Sequence, residues 1–501
     1  MAVGAVAAAG SAGPAAGAAA AVPTRPHVPL APTQVIDVRA DCGAVGDGVT
    51  NDSAAFRTAA QLLEAAGGGT LVIPSGTYVV GDQFHEAGST APTPYYQLRE
   101  VFTVEGVPVT IVGNGATLRM ADGLHYGSFD PDTGEPVDMV GVDYAFRAHL
   151  GYVMLFKNCT GVVIEDLELD GNCGALVIGG ATAPDIHAYG LRFEQCSDVT
   201  VTNVHTHHHA LDGLSVNWHE YPADGPATPH TFTEVRSQYN GRQAFTWGGG
   251  SDIRCYRCSF SHTGRGGVTR APNGGLDIEP NSATFGRDGY FEDCEFIDNR
   301  GPGLASALRT TTDVTFVRCV FWGTEYYSVW VDSPRFVFQD CEIYGTVPRA
   351  YGSTEEPVDA TQFLGCTFED RPWTNGAVAR LGNYLFSPGG NGNGVLLEDC
   401  TLTAHQVRSV YLPDVDTTEV LRRCTFTHEW QEPASTGYLA LIIGSHVAGC
   451  TFTENYPAGF TKNYTITVNA EVLAGDGDTV VSGPRVTWEG LTGVIPPGTY
   501  T

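Results

Sequence analysis

Along the second half of this 501-residue chain a cysteine keeps returning in one phrase. Cys258-Ser-Phe, Cys294-Glu-Phe, Cys319-Val-Phe, Cys341-Glu-Ile, Cys366-Thr-Phe, Cys400-Thr-Leu, Cys424-Thr-Phe and Cys450-Thr-Phe are separated by 36, 25, 22, 25, 34, 24 and 26 residues. Self-similarity at a period in the twenties is the mark of a solenoid. The middle residue is mostly polar and its neighbours apolar, which is the alternation of a strand. One short strand per turn of such length defines an all-β, parallel β-helix, and the long spacings mark coils carrying inserted loops. A core that grows lengthwise lets so long a chain stay one unit. Its long open sheet face suits an extended polymer.

The same register bears on the thiols. Cysteines at equivalent places in successive coils stack about 4.8 Å apart, a geometry that rarely gives disulfide torsion. The count of 13 is odd, and most are expected to form a buried ladder of free thiols. Cys42, Cys159, Cys173, Cys196 and Cys255 lie outside the series, and a pair among them could bridge. Cys255-x-x-Cys258 has no second Cys/His pair at finger-like spacing.

Lys+Arg number 27 against 56 Asp+Glu, for a net charge of −29, with Lys157 and Lys462 the only lysines. Such a balance repels nucleic acid and anionic membranes. It also disfavours an anionic polysaccharide unless arginine or a bound cation corrects the field locally. Residues 1–22 are nearly all Ala, Gly and Val and read as the apolar part of a secretory signal without its positive start, so an extracellular location is expected. A Pro-rich linker follows to residue 34. No strongly apolar run of about 18 residues comes after it, so no membrane helix is expected. The β-helix is placed at 35–456 and a C-terminal β cap at 457–501.

Val35–Val38 reads as a strand, Asp52 or Ser53 as the cap of a helix through Leu63, and Gly67-Gly68-Gly69 as its stop. Such a helix would cover the open end of the stack. Asp37, Gly43, Ala44, Gly46, Asp47, Gly48, Asp52, Pro74, Gly76 and Tyr78 fit a spaced pattern over about 45 residues. In this the segment resembles the N-terminal cap of the pectate-lyase-like β-helix superfamily. The resemblance implies a single-stranded, right-handed parallel β-helix with an N-terminal capping helix, and a carbohydrate ligand. It does not transfer catalytic residues. The Asn-Thr-Asp, Asp-Asp, Gly-His-Gly and Arg-Ile-Lys set of family 28 pectin hydrolases is not found, nor is the Asp-Pro-His motif of alginate epimerases.

Insertions are read at Ala121–Leu150, Cys173–Ala188, Trp218–Thr231 and Gly264–Asn273, and in solenoids these often line one face. Aligning five rungs by alternation points Leu214, Phe245, Leu276, Leu304 and Val329 inward, with Val216, Trp247, Ile278, Ser306 and Val331 as a second inward column. One outward column is then Ser215, Thr246, Asp277, Ala305 and Trp330. The other is Asn217, Gly248, Glu279, Ala307 and Asp332. Asp277 and Glu279 would stand about 7 Å apart at the backbone, and Asp332 two rungs away. Two carboxylates with a water between them suit an acid and a base. Both residues are equally at home as surface acids, and Glu279-Pro280-Asn281 as a capping turn.

These positions make Asp277 and Glu279 the expected catalytic pair, with Asp332 or Asp212 as the replacement partner. Trp330 and Asn217 would contact the substrate. The turn His205-Thr-His207-His208-His209 precedes the Leu214 rung, so His207 and His209 are further candidates as substrate contacts, bases or metal ligands. Arg265 and Arg270 could hold a uronate or sulfate, or pair with acids in a structural network. The expected activity is hydrolysis of a polysaccharide or oligosaccharide. A lyase or C5-epimerase for a uronate polymer is the second reading, with Ca²⁺ held by carboxylates as its possible cofactor. A glycan-binding or tail-spike-like module is the third, disfavoured by the short tail after Pro457. No metal-ligand set is assigned, and no oligomeric state.

Overall fold

In a computed structural model the described residues are 34–500 apart from 86–95, 139–143, 181–185, 282, 354–355, 375, 377–383, 390–391, 414–418, 430–436, 455–463, 473–478, 483–485 and 488–498. The signal-like segment and nearly all of the linker lie outside them. The helix α1, Ser53–Ala66, ends at Gly67 in the left-handed region at φ 76°. The expected side-chain cap is absent. Asp52 instead accepts the N–H groups of Val45 and Gly46 at 2.7 and 3.0 Å, clasping the loop that leads into the helix.

Strands then stack in parallel, coil upon coil. Eight rungs make one continuous face: β1 (Phe102–Glu105), β2 (Gly151–Lys157), β3 (Ala188–Glu194), β4 (Asp212–Asn217), β5 (Gln243–Gly248), β6 (Gly274–Ile278), β7 (Leu304–Ser306) and β8 (Val329–Val331). The Cys-x-apolar strands lie on another side of the coil, for example Ser259–Ser261 beside Glu295–Asn299 beside Val320–Gly323. Strands past residue 457 carry the stack on, Tyr464–Val472 pairing in parallel with Gly437–Ala448.

The core is a set of ladders. Phe291, Phe316, Phe338 and Phe363 stack at centroid distances of 4.8, 5.0 and 4.8 Å. Each fully buried ring contributes up to about 3 kcal/mol over an exposed one. The thiols run beside them, and all 13 cysteines are free. In the repeat each thiol lies near the carbonyl two residues back, as Cys424 Sγ does at 3.2 Å from Arg422 O. Cys159 and Cys196 adjoin in a short ladder of their own.

The residue just before each repeat cysteine turns the corner in the left-handed region, including Arg257, Asp293, Arg318, Asp340, Asp399 and Arg423 at φ 50–55°. Asp and Asn tolerate that region; Arg rarely enters it. Here the arginines gain acids on the neighbouring coil: Arg318 pairs with Asp293 at 2.8 Å and Arg423 with Asp399 at 2.8 Å.

Only Cys42 is partly exposed. Ellman's reagent is therefore expected to titrate one thiol in the native protein and all 13 after denaturation. Several fast-reacting thiols in the native state would contradict the ladder.

Candidate functional site

The register of the open face matches the alternation read from sequence. Ser215 pairs with Thr246, Thr246 with Asp277, Asp277 with Ala305 and Ala305 with Trp330. Asn217 pairs with Gly248. Leu214, Phe245, Leu276, Leu304 and Val329 are fully buried, and Trp247 fills the core.

A third outward column was not legible. Near the start of each rung Gly190, Gly213 and Gly275 face polar groups of the corner that leads into the next rung. A Cβ on Gly213 would lie 2.1 Å from Ser237 Oγ. Residues at the start of the rungs reach the outward column, as Asp212 does to Thr246 and Gln243 to Asp277. Tyr152 pairs with Tyr189 and Asp212 with Gln243, which in turn pairs with Gly274.

These columns knit together diagonally around Asp277. Gln243 donates Nε2 to Asp277 Oδ2 at 2.5 Å. Asp277 is 7% exposed and so buried, with the Gln243 amide as its hydrogen-bond partner. Burial, followed by the adjoining Glu279 carboxylate, pushes its pKa up to about 8, although Arg242 pulls the other way. Glu279 is exposed, and its carboxylate lies close enough to raise the Asp277 pKa. The two carboxyl groups therefore act on each other electrostatically across the strand end. Asn281, not Glu279, caps the following turn by accepting Ala283 N at 3.1 Å.

Asp212 is fully buried and serves a different purpose from the one expected. It accepts Arg242 Nε at 2.7 Å, a second bond from Arg242 Nη2, and Thr246 Oγ1 at 2.8 Å. Burial works against the Arg242 charge, but Asp212 holds it firmly protonated. Arg242 is thereby fixed where its charge acts on Asp277, a role the sequence did not disclose. Arg192 extends the face upstream. It bonds Glu194 at 2.8 Å and lies over Tyr189, 4.8 Å from the ring centroid. Downstream, Tyr327 packs on Trp330 at 5.2 Å and on Tyr326 at 4.3 Å. Its phenol pKa is raised by burial, then by Tyr326 and Asp277, so the ring borders the acid. Trp330 thus sits on the face as expected, half-buried. Asn217 holds the floor, where a Cβ on Gly248 would lie 2.2 Å from its Oδ1.

Other expected site residues are placed elsewhere. Asp332 is held between Arg349 at 3.0 Å and Arg309 at 3.2 Å. Arg265 is consumed by Asp298 and Glu325, both at 2.9 Å, and by Thr324 at 2.7 Å, so it is a structural tie and not a substrate contact. Arg270 acts electrostatically on Tyr126, which also feels Asp212 and Arg242, so it stays near one wall of the face. His209 is buried, its Nε2 3.2 Å from the Leu169 carbonyl and 3.0 Å from Thr206, and burial followed by His207 lowers its pKa to about 3. It cannot touch a polymer on this face. His207 lies at the end of the strand Ser197–His207, around the corner from Asp212.

Three of the insertions wall the upstream end. Asp82–His85, Tyr96–Arg99, His125–Ser128, Arg147–Ala148 and Val177–Ile178 join in a lateral five-stranded sheet. The Gly264–Asn273 loop reaches it through Gly267 N donating to Cys173 Sγ at 3.2 Å. Among the described residues, the groups of three or more possible metal donors both include histidine, so neither is the all-oxygen set that calcium prefers.

The family described as right handed beta helix region matches residues 152–382. The chain is a right-handed parallel β-helix protein, as its N-terminal cap implied. No curated protein matches it. Among solved structures it is similar to the A-module of mannuronan C-5 epimerase AlgE4 from Azotobacter vinelandii, at 15% identity and TM-score 0.39, over 91% of this chain and 100% of that one. It is similar to PfbA, a surface adhesin of Streptococcus pneumoniae, at 10% identity and TM-score 0.37, over 91% of this chain and 90% of that one. It is also similar to the tailspike protein gp49 of Acinetobacter baumannii bacteriophage Fri1, a capsular polysaccharide depolymerase, at 13% identity and TM-score 0.31, over 92% of this chain and 64% of that one.

Proposed function

We propose that the protein is a carbohydrate-active enzyme that hydrolyses glycosidic bonds of a polysaccharide or oligosaccharide laid along β2–β8. Asp277 is the general acid and Glu279 its carboxylate partner. The observation that carries this reading is the Asp277 carboxyl, held by Gln243 on the rung face with its pKa raised by burial and by the exposed Glu279 carboxylate beside it. An acid with a raised pKa beside an ionised partner is the pairing glycoside cleavage needs.

In the proposed reaction Asp277 gives its proton to the glycosidic oxygen as the bond to the anomeric carbon breaks. Glu279 takes a proton from the water that attacks that carbon, or bonds the carbon first and is released by water. Known hydrolases hold their carboxyls about 5–5.5 Å apart when retaining and about 6.5–9.5 Å when inverting. Gln243 orients the acid, while the half-buried Trp330 offers an aromatic face to a sugar ring. The Ala/Gly/Val segment at 1–22 supports export to where such polymers occur.

Arg242 favours a second reading. A guanidinium anchored by Asp212 beside a protonated acid would suit the carboxylate of a uronate, and hence a lyase or C5-epimerase. Purified protein screened against neutral and uronate polysaccharides, with and without Ca²⁺, separates the readings. New reducing ends without ultraviolet absorbance establish hydrolysis. Ends with absorbance establish elimination, and a changed uronate composition at constant chain length establishes epimerisation. Retention of glycan without product would leave a binding module and overturn both enzymatic readings.

A further inference from the structure

Around the corner from the open face, two adjacent strands bring a set of imidazoles and carboxylates together. Thr160–Asp170 pairs with Ser197–His207 in the register Glu168 to His205 and Asp170 to His207. The four residues alternate with inward Leu167, Leu169, Val204 and Thr206, so all four project from the same outer surface.

Glu168 Oε1 lies 3.1 Å from His207 Nε2 and 3.7 Å from His205 Nδ1, and the three donor atoms are all within 4.8 Å of one another. In a tetrahedral site with arms of about 2.1 Å, neighbouring ligands are about 3.4 Å apart. The two measured separations bracket that edge. The other nitrogen of His207 is also engaged: Nδ1 lies 2.7 Å from His208 Nδ1 and 3.6 Å from Asp170 Oδ1. Metal-bound histidines commonly give their second ring nitrogen to a carboxylate or similar partner, which fixes the tautomer and aims the first at the ion. Thr117 Oγ1 steadies the carboxylate, donating to Glu168 Oε2 at 2.5 Å. Thus Glu168 and the two imidazoles have the separations of ligands, and the surrounding groups have the positions of their supports.

We infer that Glu168, His205 and His207 bind a divalent transition metal of the zinc type, with Asp170 and His208 orienting His207. Two nitrogens and one carboxylate oxygen suit such an ion better than calcium, which prefers oxygen alone. The ion would staple two coils at the turn that feeds Asp212 into the open face. Its place is structural, and the site stands whether or not the face cleaves a glycan.

The test is titration of the chelator-stripped full-length protein with Zn²⁺ by calorimetry, and with Co²⁺ by visible absorption. One equivalent is expected to bind, with tetrahedral Co²⁺ absorption and a rise in melting temperature. His205→Ala and Glu168→Gln should each abolish that equivalent, and Asp170→Asn should weaken it by about 10–100-fold. Asp277→Asn should bind as the wild type does. Because His207→Ala removes a packed ring, His207→Gln serves beside it, and circular dichroism confirms that each variant is folded. No binding by the wild type, or an equivalent that survives in folded His205→Ala and Glu168→Gln, overturns the assignment.

Discussion

Asp277→Asn is expected to lower cleavage by about 10²–10⁴-fold, the usual contribution of a positioned general acid, while leaving the fold intact. Asparagine keeps the shape and can still meet Gln243, but it has no proton to give. The same substitution carries a stability signature. Asp277 has its pKa raised to about 8 in the folded protein, against about 3.9 for a free aspartate. The folded state therefore holds more protons than the unfolded state between these values, and stability falls as pH rises through that window. An amide at this position cannot ionise and so removes that loss. Asp277→Asn should therefore match the wild type near pH 4 and melt higher at pH 9. Wild-type activity should decline as pH rises through about 8. Differential scanning calorimetry across pH, run beside the activity profile, checks both. Full activity in the variant would remove Asp277 from the chemistry, and an unchanged difference in melting temperature from pH 4 to 9 would show that its proton is not held as described.

Arg242→Met, by contrast, should destabilise the fold strongly. It strands the Asp212 carboxylate, which is fully buried and has Arg242 as its charged partner. Breaking a buried pair from one side costs about 3–5 kcal/mol, whereas replacing both members by apolar groups of similar volume is often neutral. Asp212→Leu with Arg242→Met is therefore expected to recover much of the stability that Arg242→Met alone loses. If the substrate is a uronate it should not recover activity, because no cation then stands near Asp277 to meet the substrate carboxylate. Chemical denaturation of the single and double variants, with turnover measured on each, separates the structural part of the pair from its part in the site. Independent, additive losses would show that the two residues do not act as a unit.

The cysteine repeat and the alternation of the rungs were enough to read the solenoid and the columns through Ser215, Thr246, Asp277, Ala305 and Trp330. Both depend on a period, and a period is local. The site itself was less legible. Arg242, Gln243 and Tyr327 sit before the aligned rungs and Tyr189 on a rung upstream of them, so the alternation of those five rungs does not reach them. Asp212 and Asp332 appeared as available acids because sequence does not show which arginine each meets. His209 appeared accessible because a turn residue was taken to face water, whereas this one plugs the corner between coils. The donor set of Glu168, His205 and His207 depends on the pairing of two strands 37 residues apart, as in Glu168 to His205, and emerges only once their register is known.

The left-handed residue and thiol at each corner act as a detent. Every coil is brought back to the same angular position there, however long a detour it made since the last one, so an insertion of a few residues or of thirty does not propagate into the next rung. That uncouples the two timescales on which such a molecule can change. The wall around the open face can be rewritten loop by loop, and whole coils can be duplicated or lost, while Asp277 and Glu279 keep their address. A chain built this way would diversify in which polymer it accepts long before it altered how it holds its acid.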